Sequence, residues 1–188
     1  MATASRSEAR HIIEGTLGCP VCHAEFPIRD GEAWFVTDAE ADSLASDVEV
    51  GMRLAAFLEL TDARAYAILH GVWAAHAPAV RQLSHTPLLL VNPPRGIDVN
   101  ATGIVRVRGR LPVAAMSARG AALDAADDAA LVASTVAAVR TGGRVVGHVT
   151  TPVPDTVKEL SRDGTIWVGE KKAAPDDPAR RLVTLRRS

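Results

Sequence analysis

Residues 65–94 read AYAILHGVWAAHAPAVRQLSHTPLLLVNPP, and the reading of this stretch decides the fold. Two short apolar runs, Tyr66–Leu69 and Leu88–Val91, flank a helix-compatible segment. Runs that are apolar at every position and bounded by Gly, Pro and Asn fit strands buried on both faces, as in a parallel sheet. A strand, a crossover and a second parallel strand form a right-handed βαβ unit, the seed of an open doubly wound sheet. Pro78 suits the first turn of a crossover helix that begins near Ala77 and would break one continuous from Gly71. Ligands in such sheets bind beyond the carboxyl ends of the strands, here His70-Gly71-Val72-Trp73 and Asn92-Pro93-Pro94.

Working outward, Ser46-Asp47-Val48-Glu49 fits a capping box with Ser46 as the cap. It opens a helix through Met52, Leu54, Phe57 and Leu58 that stops near Thr61-Asp62. Downstream, Ile104–Arg108 alternates as a strand, Ser117–Gly120 has loop chemistry, and Ala121–Asp124 reads as another short buried strand. Asp127 is placed to cap a helix whose core-facing positions are Leu131, Val132, Thr135, Val136 and Val139. Thr141-Gly142-Gly143 is its C-terminal turn, and Arg144–Val149 the next strand. Pro154 is expected to start a short helix through Leu160. Thr165–Glu170 and Arg181–Arg186 are expected to close the chain as an edge hairpin joined by residues 171–179.

Upstream, residues 11–36 read HIIEGTLGCPVCHAEFPIRDGEAWFV. Arg29-Asp30-Gly31 between two apolar stretches is a hairpin turn. Cys19-Pro20-Val21-Cys22 is a knuckle with two thiols at a spacing that reaches one metal ion. Structural zinc takes four ligands, and these are the chain's only cysteines; His23 or His11 would have to complete the set, with Asp30 or Glu32 weaker candidates. A metal-free knuckle and a redox pair are the other readings, although no thioredoxin-like βαβ context surrounds the cysteines. The resulting division is a disordered N-terminus over 1–10, a ribbon-like β unit over 11–37, a linker and helix over 38–63, and the main α/β domain over 64–188.

A chain of 188 residues holds one full domain and a small appendage. With a formal net charge of −1, the protein is not a polyelectrolyte as a whole. Arg106, Arg108, Arg110, Arg119 and the C-terminal arginines are scattered, which argues for a solvated face over a nucleic-acid surface. No segment has the apolar length of a membrane span or a signal peptide, and the paired cysteines suit a reducing compartment, so a cytoplasmic protein is expected.

Two resemblances follow from these residues. Leu17–Cys22, with Phe26-Pro27-Ile28 and Asp30-Gly31, resembles the small zinc-ribbon family whose members activate methyltransferases. From Val50 onward the order of elements resembles class I S-adenosylmethionine-dependent methyltransferases of the methyltransferase-11 type. Gly109–Ser117, Ala121–Asp124 and Val139–Val146 carry that likeness. It implies an α/β fold with an open Rossmann-like sheet, mostly parallel, ending in an antiparallel C-terminal hairpin, plus a small N-terminal ribbon-like β unit. It also implies a cofactor pocket at His70, Gly71, Trp73, Asn92 and Asp124. That pocket departs from the family: one glycine follows the first strand, no acid accompanies it, and Asn92 stands where an acid would accept ribose hydroxyls. These departures argue against S-adenosylmethionine binding. They point to a non-catalytic, pseudoenzyme-like scaffold subunit that binds protein partners or itself through the ribbon-like segment, with Trp73 plugging the pocket against Asn92 and Pro93. The alternatives are a divergent methyltransferase using Asn92 and Asp124, and an RNA-binding accessory protein.

Overall fold

The computed structural model describes residues 1–8, 11–37, 44–61, 63, 65–97 and 103–174. At its centre β5 (Tyr66–His70) and β6 (Leu88–Val91) run parallel, with Ile68 beside Leu89. Ala67, Ile68, Leu69 and Leu90 are fully buried, because helical residues pack on both faces: Leu54 and Val80 on the side of Ala67, Leu69 and Leu90, Leu131 and Val136 on the side of Ile68. The crossover helix α3 (Ala77–Leu83) starts where Pro78 requires, preceded by a single extra turn, α2 (Gly71–Ala74).

Beyond this unit lie β7 (Gly103–Arg106), β8 (Ala118–Leu123), β9 (Val139–His148), β10 (Val157–Arg162) and β11 (Ile166–Lys171). The order β7-β6-β5-β8-β9 is parallel throughout. The closing strand β11 is antiparallel to β9, and β10 pairs antiparallel with β11 at the edge. The last strand is thus inserted inside its predecessor, a departure from the plain 3-2-1-4-5-6 dinucleotide-binding order. The sheet is thus largely parallel, with antiparallel strands at its C-terminal edge.

Of the two segments expected in the hairpin, Thr165–Glu170 is a strand, β11, but its described partner is β10. The stretch read as a helix from Pro154 to Leu160 is a turn followed by β10, whose Lys158, Glu159 and Arg162 line an exposed sheet edge. The proposed strand at 181–186 lies outside the described residues. Ala118–Gly120, read as loop, belongs to β8, because a Cβ at Gly120 would stand 2.7 Å from the Arg144 carbonyl oxygen of the neighbouring strand. Trp167 of β11 is fully buried, donates to the Thr151 carbonyl at 2.8 Å, and lies flat over Gly147, where any side chain would strike its ring.

Helix α1 (Val48–Phe57) forms as expected, but its cap is Asp47 rather than Ser46, accepting from Glu49 N and Val50 N. In α4 (Ala129–Ala138) the cap is likewise displaced by one residue: Asp128 accepts from Leu131 N. At its other end Lys171 Nζ donates to the carbonyls of Val136, Ala137 and Val139 at 2.5, 3.3 and 3.1 Å. These carbonyls cluster at the helix C-terminus, where a cation meets the negative end of the helix dipole.

His76 joins α1 to α3, its Nδ1 accepting from Asp47 N–H at 3.0 Å. Burial pushes its pKa below 6.5, outweighing the nearby Asp47 carboxylate, which acts the other way. A histidine that charges less readily when folded stabilises fully above its unfolded pKa, and that contribution is lost as pH falls below 6.5. His76→Gln should therefore flatten the slope of unfolding free energy between about pH 6.5 and 5. Denaturant titrations of both proteins across that range check it, and parallel slopes would show that His76 is not the group responsible.

The N-terminal segment is a meander of β1 (Ala2–Glu8), β2 (His11–Gly18), β3 (Glu25–Arg29) and β4 (Glu32–Trp34). Residues 2–8, expected to lack order, pair with β2. Asp30 and Gly31 both have positive φ, 49° and 79°, as the Asp-Gly hairpin turn requires. β4 then pairs in parallel with β7, so this unit is an extension of the main sheet and not a separate ribbon. Arg106 fastens the junction. It is 5% exposed, forms a two-pronged pair with Glu32 at 2.8 and 2.9 Å, and donates to the Pro93 carbonyl. Among the described residues no helix is long and apolar enough to cross a membrane.

Candidate functional site

The carboxyl ends of β5 and β8 meet at the centre of the sheet, and their side chains form one polar cluster. The backbone turns from β5 into α2 at Gly71, whose φ of +45° favours glycine. A Cβ built there would run into the carboxylate of Asp124. Asp124 follows β8, is 8% exposed, and accepts from Val72 N at 2.6 Å and from Ala126 N at 3.0 Å. One ring further in, fully buried His70 stands between two partners. Its Nδ1 lies 2.9 Å from Asp127 Oδ2 and its Nε2 3.1 Å from Thr135 Oγ1 on α4. Asp127 also accepts from Asp124 N at 3.0 Å. His70 is out of reach of solvent; it and Asp127 fix the Asp124 loop against β5.

The structure brings His70, Gly71 and Asp124 of the expected pocket together, and adds Asp127 and Thr135, which the sequence reading does not place there. Asp127 was taken for the helix cap, a role that Asp128 fills. The doublet Asp127-Asp128 was the available signal, since one helix start needs one capping carboxylate.

Asn92 and Trp73 do different work from that expected. Asn92 has φ +49°, and its side chain is engaged at both ends: Nδ2 donates to Val107 O at 2.8 Å and Oδ1 accepts from Val107 N at 2.9 Å. It clamps the ends of β6 and β7 together, with one hydrogen bond at each amide atom. Trp73 does not plug a pocket beside Asn92 and Pro93. It is half-buried, donates from Nε1 to Leu123 O at 2.9 Å, and borders a small cavity of about 90 Å³ with Leu54 and Phe57 of α1 and Ile166 of β11. Two helical residues beyond Gly71 the side chain has rotated by roughly 200°, to the other side of the strand end.

Cys19 and Cys22 lie where β2 turns into β3, one half-buried and the other exposed. The turn is closed by Cys19 N to Ala24 O at 2.9 Å and His23 N to Cys19 O at 3.0 Å. The backbone N–H groups of Cys22 and Val21, then the Cys22 thiol, hold the Cys19 thiol below its ordinary pKa. The expected further metal ligands do not join them. His11 starts β2, roughly 25 Å along the strand from Cys19. His23 shares a cleft with Cys19 but not with Cys22, Glu32 is bound to Arg106, and Asp30 is in the far hairpin turn. No three His, Cys, Asp or Glu residues among those described gather as a metal site. Two thiolates do not meet the four-ligand demand of structural zinc.

No protein family matches the chain, and no curated protein does. Two solved structures are similar in fold. One is a Corynebacterium glutamicum protein at 16% identity, with a TM-score of 0.48 over 70% of this chain and 84% of that one. The other is YhhF, a putative methyltransferase from Escherichia coli, at 12% identity, with a TM-score of 0.44 over 85% of this chain and 100% of that one. The expectation of a non-catalytic scaffold subunit is withdrawn. One of its grounds was an indole blocking the pocket, and the indole lies elsewhere.

Proposed function

We propose that this protein is a divergent S-adenosylmethionine-dependent methyltransferase. The observation that carries the reading is the bond between Asp124 and Val72 N–H beside Gly71, at the point where the parallel sheet's strand order reverses. The α-amino-acid end of S-adenosylmethionine is a zwitterion. Its carboxylate suits the Val72 N–H and its ammonium suits Asp124, so both protein groups keep a charge-assisted partner when their own bond is exchanged for the ligand's. Gly71 lets the backbone approach closely because no Cβ intervenes. The donor set fits the group in kind, although the family's acid after the second strand is absent and Asn92 does not replace it.

Bound there, S-adenosylmethionine would supply an electrophilic methyl group. The chain's own residues bind and orient. Val72 N–H and Asp124 take the two charges, His70 with Asp127 and Thr135 holds the β8 loop in place, and Arg106 fixes the Pro93 carbonyl at the neighbouring strand end. Fold alone does not assign an activity, so the test is of the site. Calorimetric titration of S-adenosylmethionine and S-adenosylhomocysteine into the purified protein should give saturable one-to-one binding. Asp124→Asn should weaken it by about tenfold or more, the loss of one charged hydrogen bond. Absence of heat at millimolar ligand, with the protein folded, would defeat the reading.

A further inference from the structure

The knuckle at Cys19 and Cys22 is not accounted for by methyl transfer. The two cysteines stand three positions apart in one tight turn, closed by His23 N to Cys19 O at 3.0 Å, and Cys22 is exposed. Both line a cleft of about 590 Å³ whose apolar wall includes Phe26, Phe35 and Val107 and whose exposed charged groups are Arg108 and Arg110. Phe26 and Phe35 pack with ring centroids 4.6 Å apart. Reactive cysteines occur in such partly exposed, electropositive surroundings, whereas structural cysteines are buried and inert. A pair short of metal ligands, with both cysteines at one cleft, is arranged for exchange with a disulfide.

We propose that Cys19 and Cys22 form a dithiol–disulfide site that reacts with small anionic disulfides admitted past Arg108 and Arg110. In the first step the Cys19 thiolate attacks one sulfur of the incoming disulfide. The incoming S–S bond breaks, and one thiolate leaves and is protonated by solvent. In the second step Cys22, having given its proton to solvent, attacks the Cys19 sulfur of the mixed disulfide and displaces the second thiolate. The protein dithiol is oxidised by two electrons, and the small disulfide is reduced to two thiols. Cys22 resolves the adduct because the turn holds both cysteines at the same cleft.

The test uses the full chain, reduced, freed of reductant, and treated with glutathione disulfide (anionic) or bis(2-hydroxyethyl) disulfide (neutral). Intact-mass measurement after acid quenching and alkylation should show an internal disulfide without adduct, reversed by excess reduced thiol. Cys22→Ser should instead accumulate one mixed disulfide on Cys19. Replacing both Arg108 and Arg110 by Ala should slow the reaction with glutathione disulfide by roughly tenfold at low ionic strength and leave the neutral reagent's rate unchanged, as expected for charge steering. The proposal is overturned if the folded wild-type protein yields only adducts or stays a dithiol in excess oxidant. Equal slowing of both reagents in the arginine variant overturns the anionic preference. Zinc found at one per chain, with both thiols blocked until it is chelated, assigns the pair to metal binding instead.

Discussion

Arg106→Ala is expected to lower the unfolding free energy by about 3–5 kcal/mol, the usual cost of leaving one member of a buried ion pair without its partner. Glu32 is the member left behind, with its side chain 17% exposed and both oxygens directed at the missing guanidinium. The Pro93 carbonyl loses its donor as well, and the Trp34 ring loses a cation 6.0 Å from its centroid. Since β4 and β7 are neighbours in the sheet, the loss should loosen the N-terminal meander before the parallel core. Urea denaturation gives the total, and hydrogen exchange of residues 11–35 gives its location. Glu32→Leu combined with Arg106→Leu should cost less than either change alone, because no unpaired charge remains buried. A loss below about 1 kcal/mol for Arg106→Ala would place the pair with exposed ones and remove it as the fastening of the meander.

The second large effect is expected at Gly71. Gly71→Ala should cost about 2–4 kcal/mol, from a left-handed backbone that disfavours a Cβ and from collision with the Asp124 carboxylate. Gly96 provides the control. Its φ is +80°, but the space around it is open, so Gly96→Ala carries only the backbone component, about 1 kcal/mol. The difference between the two variants measures how closely Asp124 approaches the β5–α2 turn. Adding Asp124→Gly to Gly71→Ala should recover part of the loss. Equal thermal shifts for the two glycine variants would mean that the carboxylate is not seated against Gly71, and the proposed ligand exchange at that bond would lose its basis.

What the sequence determined by itself is what neighbours along the chain decide. The apolar runs at 66–69 and 88–91 could only be buried strands, Pro78 dictated where the crossover helix starts, and Asp30-Gly31 made its hairpin turn. The helices at 48–57 and 129–138 were legible from cap and periodicity, each displaced by one residue in its cap because adjacent polar residues compete for that position. The segment 157–162 was misread because its composition suits a helix and only pairing with β11 makes it a strand. At the site, His70, Gly71 and Asp124 were found because they end apolar runs, and strand ends are where such sheets place function.

The partners of those residues belong to the tertiary structure alone. Arg106 meets Glu32 across 74 positions, His70 meets Thr135 across 65, and Trp73 reaches Leu123 across 50. Polar groups have no periodicity that announces a partner at such separations, so an arginine bound for burial reads like its exposed neighbours Arg108 and Arg110. Asn92 shows the same limit: its residue type allowed a ligand contact, and only the approach of β7 commits both ends of its amide to Val107. Whether a polar side chain at a strand end binds a ligand or the protein itself depends on which backbone the fold brings within hydrogen-bond distance. That distance is fixed by the packing of strands far apart in the chain.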